Sequence, residues 1–317
     1  MKKTILIILL TLIAIIAIIG GGLYYFYNNK LDKINYEEIP KNDIEVTEGI
    51  EEKLDKYRNI VLFGIDDADG YNGRSDCIII FSLNEKTNDV KMTSIYRDTY
   101  VEVPKHGYTK INHAYAYGGA ALAMSTINRN LDIDITEYVT INFEVVKDVV
   151  DYVDGITINV TSQEAKSIPG LTKAGTYNLN GVQALAYGRI RKIDTDYKRT
   201  ERMRTVINEV FKKVKKMSVT EMNKFADEIL PEIHTNIKRN EITNLITNAI
   251  SLEIKESNGW PYGVTGKTIN KIWYGIPNNL EENVKKLHKD LFNEEEYEPS
   301  ETVKKISNTI ISKTGVK

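Results

Sequence analysis

Three times along this 317-residue chain, Asp and Arg occur together where an apolar run begins or ends. Asp66-Asp67 close the run 59–65, and Arg74-Ser75-Asp76 open the next, 77–83. Arg97-Asp98 follow Ile95. Arg189-Ile190-Arg191 then lead through Asp196 and Arg199 to Arg202, near the start of a long amphipathic stretch. Between 187 and 204, seven basic residues stand with three acidic ones, a net of +4 in a chain whose formal charge is −2. An Arg fork matches phosphate oxygens two at a time, and a helix N-terminus beside it adds a favourable dipole. Carboxylates among such arginines serve no purpose toward a bare anion. They fit if they hold a divalent cation such as Mg2+, which takes one or two carboxylates together with phosphate oxygens. The set describes a phosphoryl- or pyrophosphate-handling site. Any one pair alone reads more readily as a surface ion pair. Likewise Lys110-Ile111-Asn112-His113 alone reads as a turn and a helix start capped by Asn112. His113 then has a core or capping role, and Cys77 is a small buried core residue.

Other chemistries are excluded. A balance of 42 Lys+Arg against 44 Asp+Glu lacks the basic excess that nucleic-acid binding requires. A single Cys rules out an intramolecular disulfide and a Cys-based zinc site, and the four His are scattered without an HExxH pattern. The segment 263–268 ends like a phosphate-binding loop, but Pro261 stands where the first Gly is needed.

The elements that must position these residues follow from hydrophobic patterning. No charge occurs from Thr4 to Asn29, the stretch 5–19 is nearly all Ile, Leu and Ala, and an aromatic cluster follows at 23–27. About 20 apolar residues cross a bilayer, and aromatics gather at its interface. A cleaved signal peptide is the alternative. We read 1–29 as a retained transmembrane anchor, with Lys2 and Lys3 favouring a cytoplasmic N-terminus. Residues 30–52 read as a polar spacer, 53–293 as one extracellular domain and 294–317 as a charged tail. Within the domain, 59–65, 77–83, 90–95, 138–143 and 156–160 read as strands. The segments 114–130, 143–153, 199–217, 220–229, 240–252 and 279–292 read as helices. Intermixed strands and helices predict an α/β fold with a mixed central sheet.

In their order along the chain these residues are more specific than any one of them. Gly64-Ile65-Asp66, Gly73-Arg74-Ser75-Asp76, Ser94-Ile95-Tyr96-Arg97-Asp98-Thr99 and Lys110-Ile111-Asn112-His113-Ala114-Tyr115 follow one another. Then come Asp151-Tyr152-Val153-Asp154-Gly155, Leu179-Asn180-Gly181-Val182-Gln183, Arg189-Ile190-Arg191, and Asp196 with Arg199 and Arg202. This set resembles the LytR-CpsA-Psr family of membrane-anchored cell-wall proteins over roughly 57–215. The resemblance implies an α-β-α domain outside the membrane of a Gram-positive-type envelope. Its activity would be the transfer of an anionic glycopolymer, teichoic acid- or capsule-like, from polyprenyl pyrophosphate to peptidoglycan. By motif position, Asp66, Asp76 and Asp98 would be the Mg2+-associated acids. Arg74, Arg97, Lys110, Arg189, Arg191, Arg199 and Arg202 would hold the pyrophosphate. Arg97, Asp98, Arg189, Arg191, Arg199 and Arg202 would stand at the reacting centre. The apolar faces of 143–153 and 203–214 would line a cavity for the lipid. A non-catalytic lipid-binding module, a pyrophosphate hydrolase and a transferase to protein are the alternatives on the same fold. The chain departs from the family pattern at Tyr96 (usually Pro), Cys77 (often Thr) and Met203 (typically Gln).

Overall fold

The computed structural model describes residues 31–65, 73–191, 193–194, 196–248 and 251–317. Its strands are β1 (Asn35–Tyr36), β2 (Tyr57–Ile65), β3 (Ser75–Asn84), β4 (Asp89–Ile95), β5 (Tyr100–Val103), β6 (Gly107–Lys110) and β7 (Glu137–Asn142). They continue with β8 (Ile156–Val160), β9 (Gly175–Leu179), β10 (His234–Thr235), β11 (Glu253–Trp260), β12 (Val264–Ile269) and β13 (Ile272–Pro277). The longer helices are α1 (His113–Leu131), α2 (Phe143–Tyr152), α3 (Gly181–Gly188) and α4 (Asp196–Val214). They are followed by α5 (Val219–Ile229), α6 (Arg239–Asn248), α7 (Leu280–Phe292) and α8 (Glu301–Thr314).

A strand that is apolar without alternation must be covered on both faces. That is the situation of β3, near the middle of a seven-stranded sheet of order β1-β10-β7-β2-β3-β4-β11. One face, carrying Val61, Phe63, Ile78 and Ile80, packs with residues of α1, α7 and α8 into the main core. The other face presents Cys77, Ile79 and Met92 to Phe143, Leu185 and Met203 from α2, α3 and α4. The expected mixed α/β sheet is present. Strand β2 runs antiparallel to β3 and parallel to β7, and β4 runs antiparallel to β3 and parallel to β11.

This topology explains why distant Asp and Arg residues meet. The C-terminal ends of β2, β4, β7 and β11 and the N-terminal end of β3 share one edge of the sheet. The register pairs Ile65 with Ser75 and with Asn142, and Ile95 with Trp260. Residues just before β3 and just after β4 therefore converge there, beside Ile65, the last residue of β2.

Two boundaries differ from the sequence reading. The described part of the spacer 30–52, from residue 31 on, is folded onto the domain: β1 pairs with β10, and Ile44 and Ile50 are buried in the main core. Leu31 and Ile34 are buried as well, although Tyr36 stays exposed, and the segment's polar composition conceals this use of its apolar residues. The tail 294–317 is likewise integral. Val303, Ile306 and Ile310, at helical spacing on α8, enter the main core beneath a charged outer face. Asp132 fixes the approach to α8, accepting from Tyr297 Oη at 3.0 Å and from Ser300 N and Oγ at 2.7 Å each. The segment 263–268 falls largely in strand β12. The expected membrane span, 1–29, lies outside the described residues; among those described, no helix is long and apolar enough to cross a membrane.

Candidate active site

Asp76, the second residue of β3, is the hub. Its Oδ2 accepts from Arg97 Nη1 at 2.7 Å and lies 3.4 Å from Arg191 Nη2, while its backbone carbonyl accepts from Arg199 Nη2 at 2.9 Å. Three arginines from two distant parts of the sequence thus meet one residue at the sheet edge. Arg97 also reaches Asp98, Nε to Oδ2 at 3.5 Å, and Lys110 Nζ binds Asp98 Oδ1 at 2.6 Å. Lys110 is held there because the chain after β6 returns to the 97–99 loop. Ile111 N donates to Thr99 O at 2.9 Å and Asn112 N to Arg97 O at 3.3 Å.

The arginines open onto an apolar cleft. Asp76, Arg189, Arg191, Arg199 and Thr200 line its polar side, and Cys77, Phe143 and Met203 its apolar side. The Arg189 guanidinium lies 5.2 Å from the Phe143 ring centre, a cation–π distance that places the charge at the boundary between the two. Of the apolar faces expected to line a cavity, Phe143 and Met203 do so. Val150 and Val206 instead pack with β8 and β9 in a separate cluster as ordinary core. Cys77 is buried, as its setting predicts.

Arg202 is placed differently. Only 4% exposed, it is bound by Glu164 Oε1 at 2.7 Å and by the Asp194 carboxylate, and its Nη1 donates to Ile190 O at 3.3 Å. Two carboxylates and a carbonyl occupy this guanidinium, and it does not line the cleft with Asp76. Its bond to Ile190 anchors the backbone between Arg189 and Arg191, so it positions those two side chains. Burial alone would push the Glu164 carboxyl up. The hydrogen bond from Arg202, with those from Thr161 and the Arg202 charge, holds it below the usual carboxylate range.

Arg74 is exposed and lies on the His113 side of the site. Burial, then the charges of Arg74 and Lys110, push the His113 imidazole below its ordinary value, with Asp98 opposing. His113 Nδ1 lies 2.9 Å from Thr109 Oγ1, in keeping with a local structural role. Asn112 stands at the N-cap of α1 but makes no cap bond; its Nδ2 reaches instead toward Asp76 Oδ1, at 3.5 Å. Asp66 lies outside the described residues.

Arg204 was not singled out by its spacing, although it belongs to the basic run. It is 8% exposed, and its Nε and Nη1 have no hydrogen-bond partner among the described residues. Burial pushes its guanidinium below the ordinary value. With seven basic residues to three acidic between 187 and 204, the segment is cationic, as an anion site requires.

Among the described residues, no group of three or more His, Cys, Asp or Glu side chains is arranged to hold a metal. Mg2+ bound through phosphate oxygens needs fewer protein ligands. The donor set suits that mode: among the described residues, Asp76 Oδ1 has only the long Asn112 contact, and Asn112 Oδ1 is buried without a hydrogen-bond partner. Both are hard oxygen donors.

A mixed sheet with arginines and aspartates converging at one edge, above an apolar cleft, defines a protein built to hold a charged head joined to an apolar tail. The LytR_cpsA_psr family matches residues 22–291, and the chain belongs to that family. The polyisoprenyl-teichoic acid–peptidoglycan teichoic acid transferase TagU of Bacillus subtilis (strain 168) is 36% identical over 246 residues, 75% of this chain and 78% of that protein. Among solved structures, TagT bound to LIIa-WTA matches with a TM-score of 0.65 at 28% identity, covering 82% of this chain and 99% of that one. The LytR-CPS2A-psr family protein YwtF (TagT) with bound octaprenyl pyrophosphate lipid gives 0.59 at 28% identity, covering 75% and 91%.

Proposed function

We propose that this chain is a membrane-anchored phosphotransferase of a Gram-positive-type envelope. It moves an anionic glycopolymer from polyprenyl pyrophosphate to a peptidoglycan hydroxyl through a phosphodiester. The observation that carries the reading is the junction of charge and apolar surface at Asp76. Arg189, Arg191 and Arg199 face the same cleft as Phe143, Cys77 and Met203. A pyrophosphate head and an isoprenoid tail need that junction. The likeness to TagU and to TagT with a bound pyrophosphate lipid supports it.

In this reading the arginines bind the two phosphates and neutralise the charge that spreads over their oxygens during transfer, so electrostatic positioning does most of the work. The acceptor hydroxyl attacks the phosphorus nearer the glycan, and the bond from that phosphorus to the bridging oxygen breaks. The bridging oxygen and its electron pair leave as polyprenyl phosphate. Asp98, joined to Asp76 through Arg97, accepts the hydroxyl proton. Arg97 and Lys110 orient that carboxylate, and Arg74 lies on the outer side of the site. Asp76 and Asn112, with Asp66, which follows the last residue of β2 in the sequence, would hold Mg2+. When bound, the ion would supply further charge neutralisation at the phosphate oxygens. The anchor 1–29 would keep the domain beside its lipid substrate, outside the membrane.

The test is transfer by the full chain in lipid nanodiscs, supplied with a polyprenyl-pyrophosphate glycopolymer, peptidoglycan oligomers and Mg2+. Mass spectrometry should find a phosphodiester-linked product that EDTA suppresses. Release of free glycopolymer phosphate in place of that product, with each acceptor offered, would contradict the reading and identify a hydrolase.

A further inference from the structure

Beside the arginine cleft, on the other side of Asp98, lies a second pocket with a different character. Tyr96, Asp98, Thr99, Tyr197, Val264 and Trp273 form its walls. Among the described residues its lining carries one carboxylate, Asp98, already paired with Lys110 and Arg97 from outside the pocket, and no cation, so it does not suit a phosphate. With only about 10 Å³ of room inside, it suits a neutral group that lies across its mouth, one apolar face on the exposed indole and hydroxyls at the rim.

The aromatic rings are seated by glycines. A Cβ on Gly259 would stand 2.1 Å from Tyr96 Oη, and a Cβ on Gly266 would stand 3.0 Å from Trp273 Nε1. The Tyr96 and Tyr197 rings are 4.2 Å apart. Trp273, in contrast, is 47% exposed, and no ring or hydrogen-bond partner engages its side chain among the described residues. An indole left bare at the mouth of a site is costly in apolar surface and is the side chain most often used as a binding anchor. The hairpin of β12 and β13 that carries it is bound directly to the proposed base. Gly275 N donates to Asp98 O at 3.0 Å, and Thr99 bridges to Gly275. Trp273 and Asp98 are therefore held as one unit.

We infer that Trp273, with Tyr96, is the acceptor platform: a hexosamine ring of a peptidoglycan glycan strand stacks on the indole and presents its hydroxyl to Asp98. This rests on the proposed transferase reading and names the acceptor side of the same site. The donor is assigned to the other side because its phosphates require the arginines, which this pocket lacks. Tyr96 stands where the family pattern usually has Pro, so this chain adds an aromatic wall at the position.

The chain has two tryptophans, and Trp260 is fully buried, so a ligand on Trp273 has its own optical signal. The full chain in nanodiscs is titrated with soluble peptidoglycan glycan oligosaccharides lacking stem peptides, and with polyprenyl pyrophosphate lipid as a separate arm. The inference predicts a saturable change in tryptophan emission with the oligosaccharide, weakened roughly tenfold or more by Tyr96→Ala. By calorimetry, Trp273→Ala should weaken oligosaccharide binding by a similar factor and leave lipid affinity unchanged. Undiminished oligosaccharide binding to Trp273→Ala, or a loss confined to lipid binding, would overturn it. Because these arms read binding, they stand apart from the transfer assay: a chain that binds the glycan at Trp273 yet transfers nothing would sink the transferase reading alone.

Discussion

Two clusters of arginine and carboxylate arise from the same basic run, and they behave in opposite ways. Around Arg202, one guanidinium meets Glu164, Asp194 and the Ile190 carbonyl, and the group is 4% exposed. Around Asp76, one residue meets Arg97, Arg191 and Arg199, with Arg189 beside them in the cleft and Arg191 half exposed. The first cluster is closed only in the sense that its acceptors saturate its cation, since Glu164, Asp194 and Arg202 also line a pocket of their own. Among the described residues, the second sets Arg97, Arg189, Arg191 and Arg199 around the single residue Asp76 and opens on a cleft. The same residue types thus serve architecture where charges balance and binding where they do not. The ratio of partners, more than the presence of an Arg–Asp pair, separates the two.

The largest effect should come from breaking the closed cluster. Arg202→Ala leaves Glu164 buried without its cation, and loss of one partner of such a pair costs about 3–5 kcal/mol. Denaturant unfolding should show that loss, and transfer per folded molecule should fall less than folding does. In the open cluster Arg191→Ala should lower kcat by roughly 10²–10³-fold, as removal of an electrostatic contact to a transition state does, with an almost unchanged melting temperature. If both variants lost stability equally, the distinction between the clusters would fail.

The protonation of buried carboxylates sharpens the same contrast. Asp134 has neutral hydrogen-bond partners, the Asn59 amide 2.7 Å from its Oδ1 and its own backbone N–H, and burial pushes its pKa up to about 6. Its folded-state value lies above the unfolded one, so its contribution is most favourable near pH 4 and worsens as pH rises to about 6. The cost is roughly 3 kcal/mol at most. Glu164, held low by Arg202, does the reverse: its stabilisation is present above the ordinary carboxylate range and is lost as pH falls below it. Asp134→Asn should therefore raise stability at neutral pH and flatten the pH 4–6 part of the unfolding profile. A lower stability at pH 7 would contradict this. The smallest effect belongs to the exposed i,i+3 pair Lys198–Glu201 on α4. Lys198→Ala should change neither melting temperature nor transfer measurably, since solvated pairs of this kind contribute little.

Much of this was legible in the sequence because Asp and Arg stand next to apolar runs, and strand ends are where a sheet gathers distant residues. The helix 143–153 was legible by its apolar spacing, and 114–130 by its richness in small residues. Strand β11 was not: as an edge strand it exposes Glu253, Lys255 and Glu256, and its sequence carries polar residues where a central strand would be apolar. Nor was the β12–β13 hairpin, whose turn uses Asn270 and Lys271 at positive φ without the glycine that usually marks such a turn. The role of Arg202 was hidden because its partner Glu164 lies 38 residues away on a separate short helix. Trp273 was hidden for the same reason, being brought to Asp98 only by the hairpin's bond to the 97–99 loop.

The central claim is that the open cluster is an anion site and the closed one is not, and the direct measurement is lipid affinity. Calorimetry with polyprenyl pyrophosphate and the full chain in nanodiscs should show Arg191→Ala binding about tenfold or more weakly than the unmodified protein, since a charge-assisted contact is worth about 1.5–3 kcal/mol. An affinity unchanged by Arg191→Ala would contradict the assignment of the pyrophosphate to the Asp76 cleft.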